Sequence, residues 1–275
     1  MMKGFGKVSP PVSPTSSTGS ATFGDSRNGD SKKSDAKLTA NAKRQKYFRR
    51  LLKFRQMDFE YAFWQMLYLF YSPQKVYRNF QYRKQTKDQW ARDDPAFLVL
   101  LSFWLCASSV GFSLVLGLGF VGLIKFLLWV IFVDCIGVGL LIATLLWFVT
   151  NKKMLINPPR GQDVEWAYAF DVHLNAFFPL LMILHFFQLP LLNHFIRLDY
   201  WMSCMFGNTL WLIAIGYYLY ITFLGYSALP FLKNTRMMLF PMMGVMLIYV
   251  LSLILGMNFT SHLCNFYAYR VIPYV

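Results

Sequence analysis

Charge is scarce in this chain. Only 15% of its 275 residues are Asp, Glu, Lys or Arg, against about 25% in an ordinary soluble domain. With 56% of the residues hydrophobic, that composition excludes a soluble globular fold. Cysteine is scarce too: four residues, Cys106, Cys135, Cys204 and Cys264. They form no C-x-x-C and stand at no zinc-ligand spacing with histidine, so neither a disulfide framework nor a metal site is expected. The catalytic motifs are missing as well. There is no H-E-x-x-H, no G-x-S-x-G, no phosphate-binding loop and no pair of intramembrane carboxylates. No catalytic residue and no cofactor is assigned. The first 40 residues lack an apolar leader core, so the first span is expected to serve as its own insertion signal. No internal repeat supports an inverted-repeat transporter.

What is present is long apolar runs. A spanning helix needs roughly 20 apolar residues to cross about 30 Å of hydrocarbon. Five runs qualify: Phe97–Gly117, Lys125–Thr150, Phe177–Ile196, Thr209–Leu229 and Met237–Gly256. Phe59–Tyr71 is too short and carries Glu60 and Gln65, which suits a helix lying in the interface or packed on the bundle. The expected fold is all-α: a polytopic membrane protein of about five transmembrane helices, with amphipathic and interfacial helices before the first. The expected segments are a disordered tail over 1–42, basic-aromatic helices over 43–96, the five-span bundle over 97–257 and a luminal tail over 258–275.

Basic residues set the orientation. Of 27 Lys and Arg, 19 precede the first span, 3 lie in the loop 151–176 and 2 in the loop 230–236. The opposite side holds only Arg197 and Arg270. The positive-inside rule therefore predicts a cytoplasmic N-terminus and a luminal C-terminus.

The basic residues are also a candidate site. Lys43, Arg44, Lys46, Arg49, Arg50, Lys53 and Arg55 share the segment KRQKYFRRLLKFR with Tyr47, Phe48, Leu51 and Leu52. A basic amphipathic helix beside a membrane attracts anionic lipid, at about 1 kcal/mol per basic residue near the surface. It equally reads as a flank that only orients the first span. Further on, Tyr77, Arg78, Tyr82, Arg83, Lys84 and Trp90 interleave aromatic and basic side chains. Such a face can stack on RNA bases or form an interfacial aromatic belt. No RNA-recognition motif accompanies it. Ser72-Pro73 marks a helix start, and Asp93-Asp94-Pro95 a break before the first span.

Within the spans, Asp134 and His185 are the polar candidates. Asp134 lies about 12 Å in from Phe126, and His185 about 16 Å from Ile196, at 1.5 Å per residue. At similar depth they are placed to pair, either as a proton- or ion-handling step or as a structural bond between helices. Asp163, Glu165, Asp171 and His173 crowd the segment before the third run; capping and surface charge are the expected roles, with no metal. Gly139 with Ala143, and Ser109 with Ser113, are small pairs suited to close helix approach. Asn258-Phe259-Thr260 is a glycosylation sequon expected to stay unused so near the fifth span.

The segments MDFEYAFWQMLYLF (57–70), SPQKVYRNFQYRKQTKDQWARDDPAFLVLL (72–101), DVEWAYAFDVHLNAFFPL (163–180), NTLWLIAIGYYLYITFLGYSALPFLKNT (208–235) and NFTSHLCNFYAYRV (258–271) resemble the uncoordinated-fifty family of five-span Golgi membrane proteins. The resemblance implies membrane trafficking rather than chemistry. It implies residence in Golgi membranes, with the endoplasmic reticulum and inner nuclear membrane as further locations. It implies large Arf guanine-nucleotide exchange factors, nicotinic acetylcholine receptor subunits as cargo, and RNA as partners. It supplies no catalytic residues. Two other readings stand beside it: a proton- or ion-coupled transporter using Asp134 and His185, and an RNA-binding membrane protein.

The charge asymmetry predicts a protection pattern. In intact vesicles a tag at Met1 is digested by added protease, and a tag after Val275 is protected. Digestion of both would mean an even number of crossings.

Overall fold

Asp58 opens the first helix by accepting a hydrogen bond from the Tyr61 amide at 2.9 Å, and Asp94 accepts from the Ala96 amide at 3.0 Å where the first span begins. The two helix starts are tied together, because the Asp58 amide donates to the second Asp94 oxygen at 2.8 Å. The computed structural model describes residues 54–87, 90–92, 94–156 and 163–271. Among them the fold is all-α, with a single isolated bridge between Leu155 and Leu232.

Helix α1 is Phe59–Tyr71 and α2 is Pro73–Lys87. Pro73 starts α2 because the first helical position has no use for an amide donor. On α1, Ala62, Gln65, Met66 and Leu69 are buried, the i, i+3, i+4, i+7 stripe of an amphipathic helix. That stripe packs on the first span.

Five helices are long and apolar enough to cross a membrane: α3 (Ala96–Leu116), α4 (Phe120–Met154), α5 (Trp166–Ile196), α6 (Trp201–Ser227) and the element Thr235–Ile254, whose regular helix α7 is Pro241–Ile254. Gly117, at φ 66°, ends α3 in the left-handed conformation that glycine adopts without strain. The third span is the core of the bundle. Half of its apolar window is buried, against 11% for the fifth. It packs most extensively on α6 and on the second half of α4.

Three expected spans began too late. The second starts at Phe120 rather than Lys125, the third at Trp166 rather than Phe177, and the fourth at Trp201 rather than Thr209. The added turns of the third and fourth carry Asp171, His173, Asn175, Ser203 and Asn208, all buried. A buried polar group needs a partner, and apart from Ser203 Oγ these residues have one in the protein. Hydropathy reads them as loop because it does not register such partners. The third span is also broken internally. Pro179 and Pro190 remove two amide donors, and the helix widens into π turns over Met182–Phe187 and Leu192–Ile196.

The expected tail after residue 257 is corrected. Phe259–Val271 is a helix, α8. Gly256, at φ 64°, turns the chain at the end of α7. Asn258 then caps α8, accepting from the Ser261 amide at 3.2 Å. Tyr267 on α8 meets Phe126 and reaches Asp134, about 21 Å of helix beyond Phe120. The last described helix therefore runs back into the bundle from the end where α7 stops.

At the opposite end, the strap Trp90–Ala91–Arg92 crosses the start of α5. Glu165 accepts from the Trp90 and Ala91 amides at 3.5 and 3.4 Å, and Asp171 from the Arg92 amide at 2.6 Å. The Arg92 guanidinium lies 3.9 Å from the Phe97 ring centre and 5.6 Å from that of Phe80, and donates to Asn175 Oδ1. Arg92→Met in detergent-solubilised protein is expected to lower stability by about 3 kcal/mol, the scale for removing one member of a buried charged set. Arg92→Lys should rescue little, since an ammonium lacks the flat fork that stacks between rings. An unchanged melting temperature in Arg92→Met would contradict this account.

Candidate functional site

Two polar centres stand inside the helices, and the backbone explains both. The first surrounds the strap. Tyr168, on the first turn of α5, is packed edge-on by Phe80, Trp90 and Tyr226 at ring distances of 6.1, 6.1 and 6.4 Å. Its hydroxyl donates to the Gly225 carbonyl at 2.6 Å. A side chain at Gly225 would meet Val172 at 2.8 Å, so the α5–α6 crossing depends on that glycine. Asn175 Nδ2 donates to Tyr77 Oη at 3.5 Å. Burial raises the Tyr77 phenol well above its ordinary pKa, so it stays a neutral hydrogen-bonding group.

The second centre lies halfway along the bundle. The π stretch Val130–Gly137 of α4 carries Asp134, and the π stretch of α5 carries His185. The Tyr267 hydroxyl donates to Asp134 at 2.5 Å. His185 Nδ1 shares a hydrogen bond with Ser108 Oγ at 3.2 Å, and its ring lies 5.0 Å from Phe112. The expected Asp134–His185 pair is thus corrected: each residue bonds a different helix. The unforeseen helix α8 supplies the partner of Asp134, and the first span supplies that of His185. A cavity of about 30 Å³ lies beside His185, lined also by Gln188, Thr260, Cys264 and Tyr267 among others. It is enclosed by Phe112, Phe126 and Trp211.

His173, placed by the sequence in a loop, is buried in α5. It bonds Tyr218 Oη at 2.8 Å and the Cys135 carbonyl at 3.2 Å. A side chain at Gly139 would overlap its ring at 2.5 Å, so the small pair Gly139–Ala143 marks a real close approach of α4 and α5. Asp163, Glu165, Asp171 and His173 do not converge on one point. Among the described residues no group of three or more His, Cys, Asp or Glu could hold a metal ion.

Of the basic patch, Lys43, Arg44, Lys46, Arg49, Arg50 and Lys53 lie outside the described residues, and Arg55 is exposed. Of the aromatic-basic face, Arg78 is exposed, while Tyr82, Arg83 and Lys84 belong to the backbone of α2. Tyr77 and Trp90 are corrected from a surface role, being only 3% and 7% exposed. Rings that stack on bases must present an open face, and these two are part of the core.

Sequence reasoning missed Arg92, Asn175, Gln188, Asn208 and Tyr267. Asn208 donates to Ser252 Oγ and the Met257 carbonyl at 2.9 and 2.7 Å, and accepts from the Phe259 amide at 3.0 Å. It thereby joins α6, α7 and α8. The available signal was an amide side chain inside or beside an apolar run. The polar side chains of the sequon are engaged as well. Asn258 Nδ2 donates to the Ile196 carbonyl at 2.6 Å, and Thr260 Oγ1 accepts from Trp211 Nε1 at 3.0 Å and from Gln188.

With this geometry in place, comparison with known proteins is direct. The family model described as the UNC-50 family matches residues 47–268. A zebrafish (Danio rerio) protein named "Protein unc-50 homolog" is 68% identical over 89% of this chain and 96% of its own length. A human protein of the same name is 67% identical over 86% and 91%, and one from Drosophila melanogaster is 58% identical over 85% of each. No solved structure gives a significant match.

Tyr267→Phe deletes one hydroxyl and leaves the Asp134 carboxylate without its phenol donor. A loss of about 1–3 kcal/mol in detergent stability is expected. In a double-mutant cycle with Asp134→Leu, which removes the acceptor, the two changes should be coupled by about 0.5 kcal/mol or more. Strict additivity would show that the bond does not hold α8 in place.

Proposed function

The chain belongs to the UNC-50 family, and on that premise we propose that it is a Golgi and endomembrane interaction protein. It supports assembly or surface delivery of membrane cargo, nicotinic acetylcholine receptor subunits among it, and docks large Arf guanine-nucleotide exchange factors. The trafficking role and these partners rest on the family resemblance. One observation carries the non-catalytic reading. Asp134, His185, His173 and Asn208, deep in the bundle, are each engaged by another helix, while large apolar residues such as Leu141, Phe148, Met243 and Leu247 face outward. A bundle arranged this way has contact surfaces to offer, and cargo helices in the bilayer meet those faces. The exchange factor would dock on the basic end, where Arg55, Arg78, Lys152 and Lys153 are exposed. Proximity labelling from Met1 tests the docking: recovery of a large Arf exchange factor supports it, and its absence beside labelled Golgi neighbours opposes it.

A second reading, proton- or ion-coupled transport, draws on the π stretches that carry both Asp134 and His185, since such stretches recur at functional sites. One set of variants separates the two. If Asp134 is structural, Asp134→Asn keeps most cargo delivery, because an amide can still accept the Tyr267 hydrogen bond and removes a charge that is costly to bury. Asp134→Leu leaves the phenol unsatisfied and lowers protein level. The paired measurement is steady-state abundance and receptor surface delivery. An Asn variant of normal abundance and location that delivers no cargo would overturn the interaction reading.

A further inference from the structure

A larger cavity adjoins the second polar centre across Trp211 and Leu263. It has a volume of about 460 Å³ and sits between α6, α7 and α8, with Trp211, Ile215, Val245, Ile248 and Phe266 on its walls. That volume is in the range of small-molecule sites, roughly 300–1,000 Å³. Two of its three walls are membrane-spanning elements, so the medium with access to it is hydrocarbon. The polar groups around it are almost all engaged. Trp211 Nε1 donates to Thr260, Tyr249 Oη is bonded to Thr209 Oγ1 at 3.0 Å, and Asn208 is held by α7 and α8. His262 differs. It lines the cavity on the second turn of α8, is exposed, and its imidazole has no hydrogen-bond partner among the described residues. Asn265, one turn on, accepts from the exposed Arg197 at 3.4 Å. The cavity therefore has an apolar lining with an open imidazole on it, and the Arg197 guanidinium reaches α8 one helical turn from that imidazole.

We propose that this cavity is a binding site for one glycerophospholipid, its acyl chain between α6, α7 and α8 and its phosphate at His262 and Arg197. The chemistry matches at both ends. An apolar cavity left empty forfeits contacts for every atom that lines it, and a phosphate is the acceptor that bilayer lipids carry where their chains begin. The site would be shaped chiefly by α8, which closes the groove between α6 and α7. It does not depend on the trafficking role.

The test uses the full chain in nanodiscs containing phosphatidylcholine with a photoreactive diazirine at the end of one acyl chain. Crosslinks are mapped residue by residue. Labelling is expected to concentrate on the half-buried lining residues Leu212, Ile215 and Val245 over the outward-facing Met243, Leu247 and Ile254. Val245→Trp, which fills the cavity, should reduce the concentrated labelling severalfold and leave the outward labelling unchanged. Ile215→Phe serves as a second filling variant in case Val245→Trp does not elute as folded protein. His262→Leu with Arg197→Gln should weaken labelling by the phospholipid probe and spare that by a fatty alcohol carrying the same photoreactive chain. Uniform labelling along α7, labelling unaffected by filling, equal labelling by both probes in the double variant, or preferential capture of a photoreactive sterol would each overturn the proposal.

Discussion

A guanidinium withdrawn from water needs acceptors and ring faces around it, and Arg92 draws them from three helices. Phe97 at the start of α3 and Phe80 on α2 cover its faces. Asn175 on α5 accepts from its edge, and its own amide is fixed on Asp171. Three helices are positioned around one residue. Glu165 extends the same clamp to Trp90 and Ala91, and Trp90 in turn packs on Tyr168 and Phe231. The order of the helices at this end of the bundle follows from where the strap is held.

The other end obeys the same rule with neutral groups. In hydrocarbon an unpartnered amide or hydroxyl is costly, and helices associate through packing and a few shared hydrogen bonds. Asn208, Gln188, Thr260 and Tyr267 supply those bonds, and all of them fix α8 against the spans. Asp134 and His185 belong to that set. A carboxylate with a phenol donor and an imidazole with a serine partner each tie their span to a different helix. The 30 Å³ space near His185 is far smaller than the apolar cavity of about 460 Å³ beyond Trp211.

Much of this was legible in the sequence. Five apolar runs gave five spans, Phe59–Tyr71 matched its helix end for end, and Asp94-Pro95 did mark the start of the first span. The family resemblance was carried by segments spread through the bundle, and the comparisons agree with it. The failures share one cause. Hydropathy and charge report what each residue would prefer alone. Asp171, His173 and Asn175 read as loop because their partners come from Arg92, Tyr218 and Tyr77, from 45 to 98 residues away. Helix α8 read as tail because His262, Asn265 and Arg270 dilute its apolar residues. Arg270 is accommodated by stacking on Trp129 and Phe266 at 5.3 Å from each ring centre. Trp90 and Tyr77 read as surface because an aromatic beside lysines looks the same whether it faces water or the core. Tertiary partners decide all of these, and a single sequence does not display them.

The central claim is that the buried polar residues hold the bundle together and do not conduct. The most direct measurement is flux through the purified full chain in sealed liposomes, with a pH gradient and with gradients of sodium, potassium or chloride. The account predicts flux no greater than in protein-free liposomes, for wild type and for Asp134→Asn alike. Flux above that background which Asp134→Asn abolishes while the protein remains folded would contradict it.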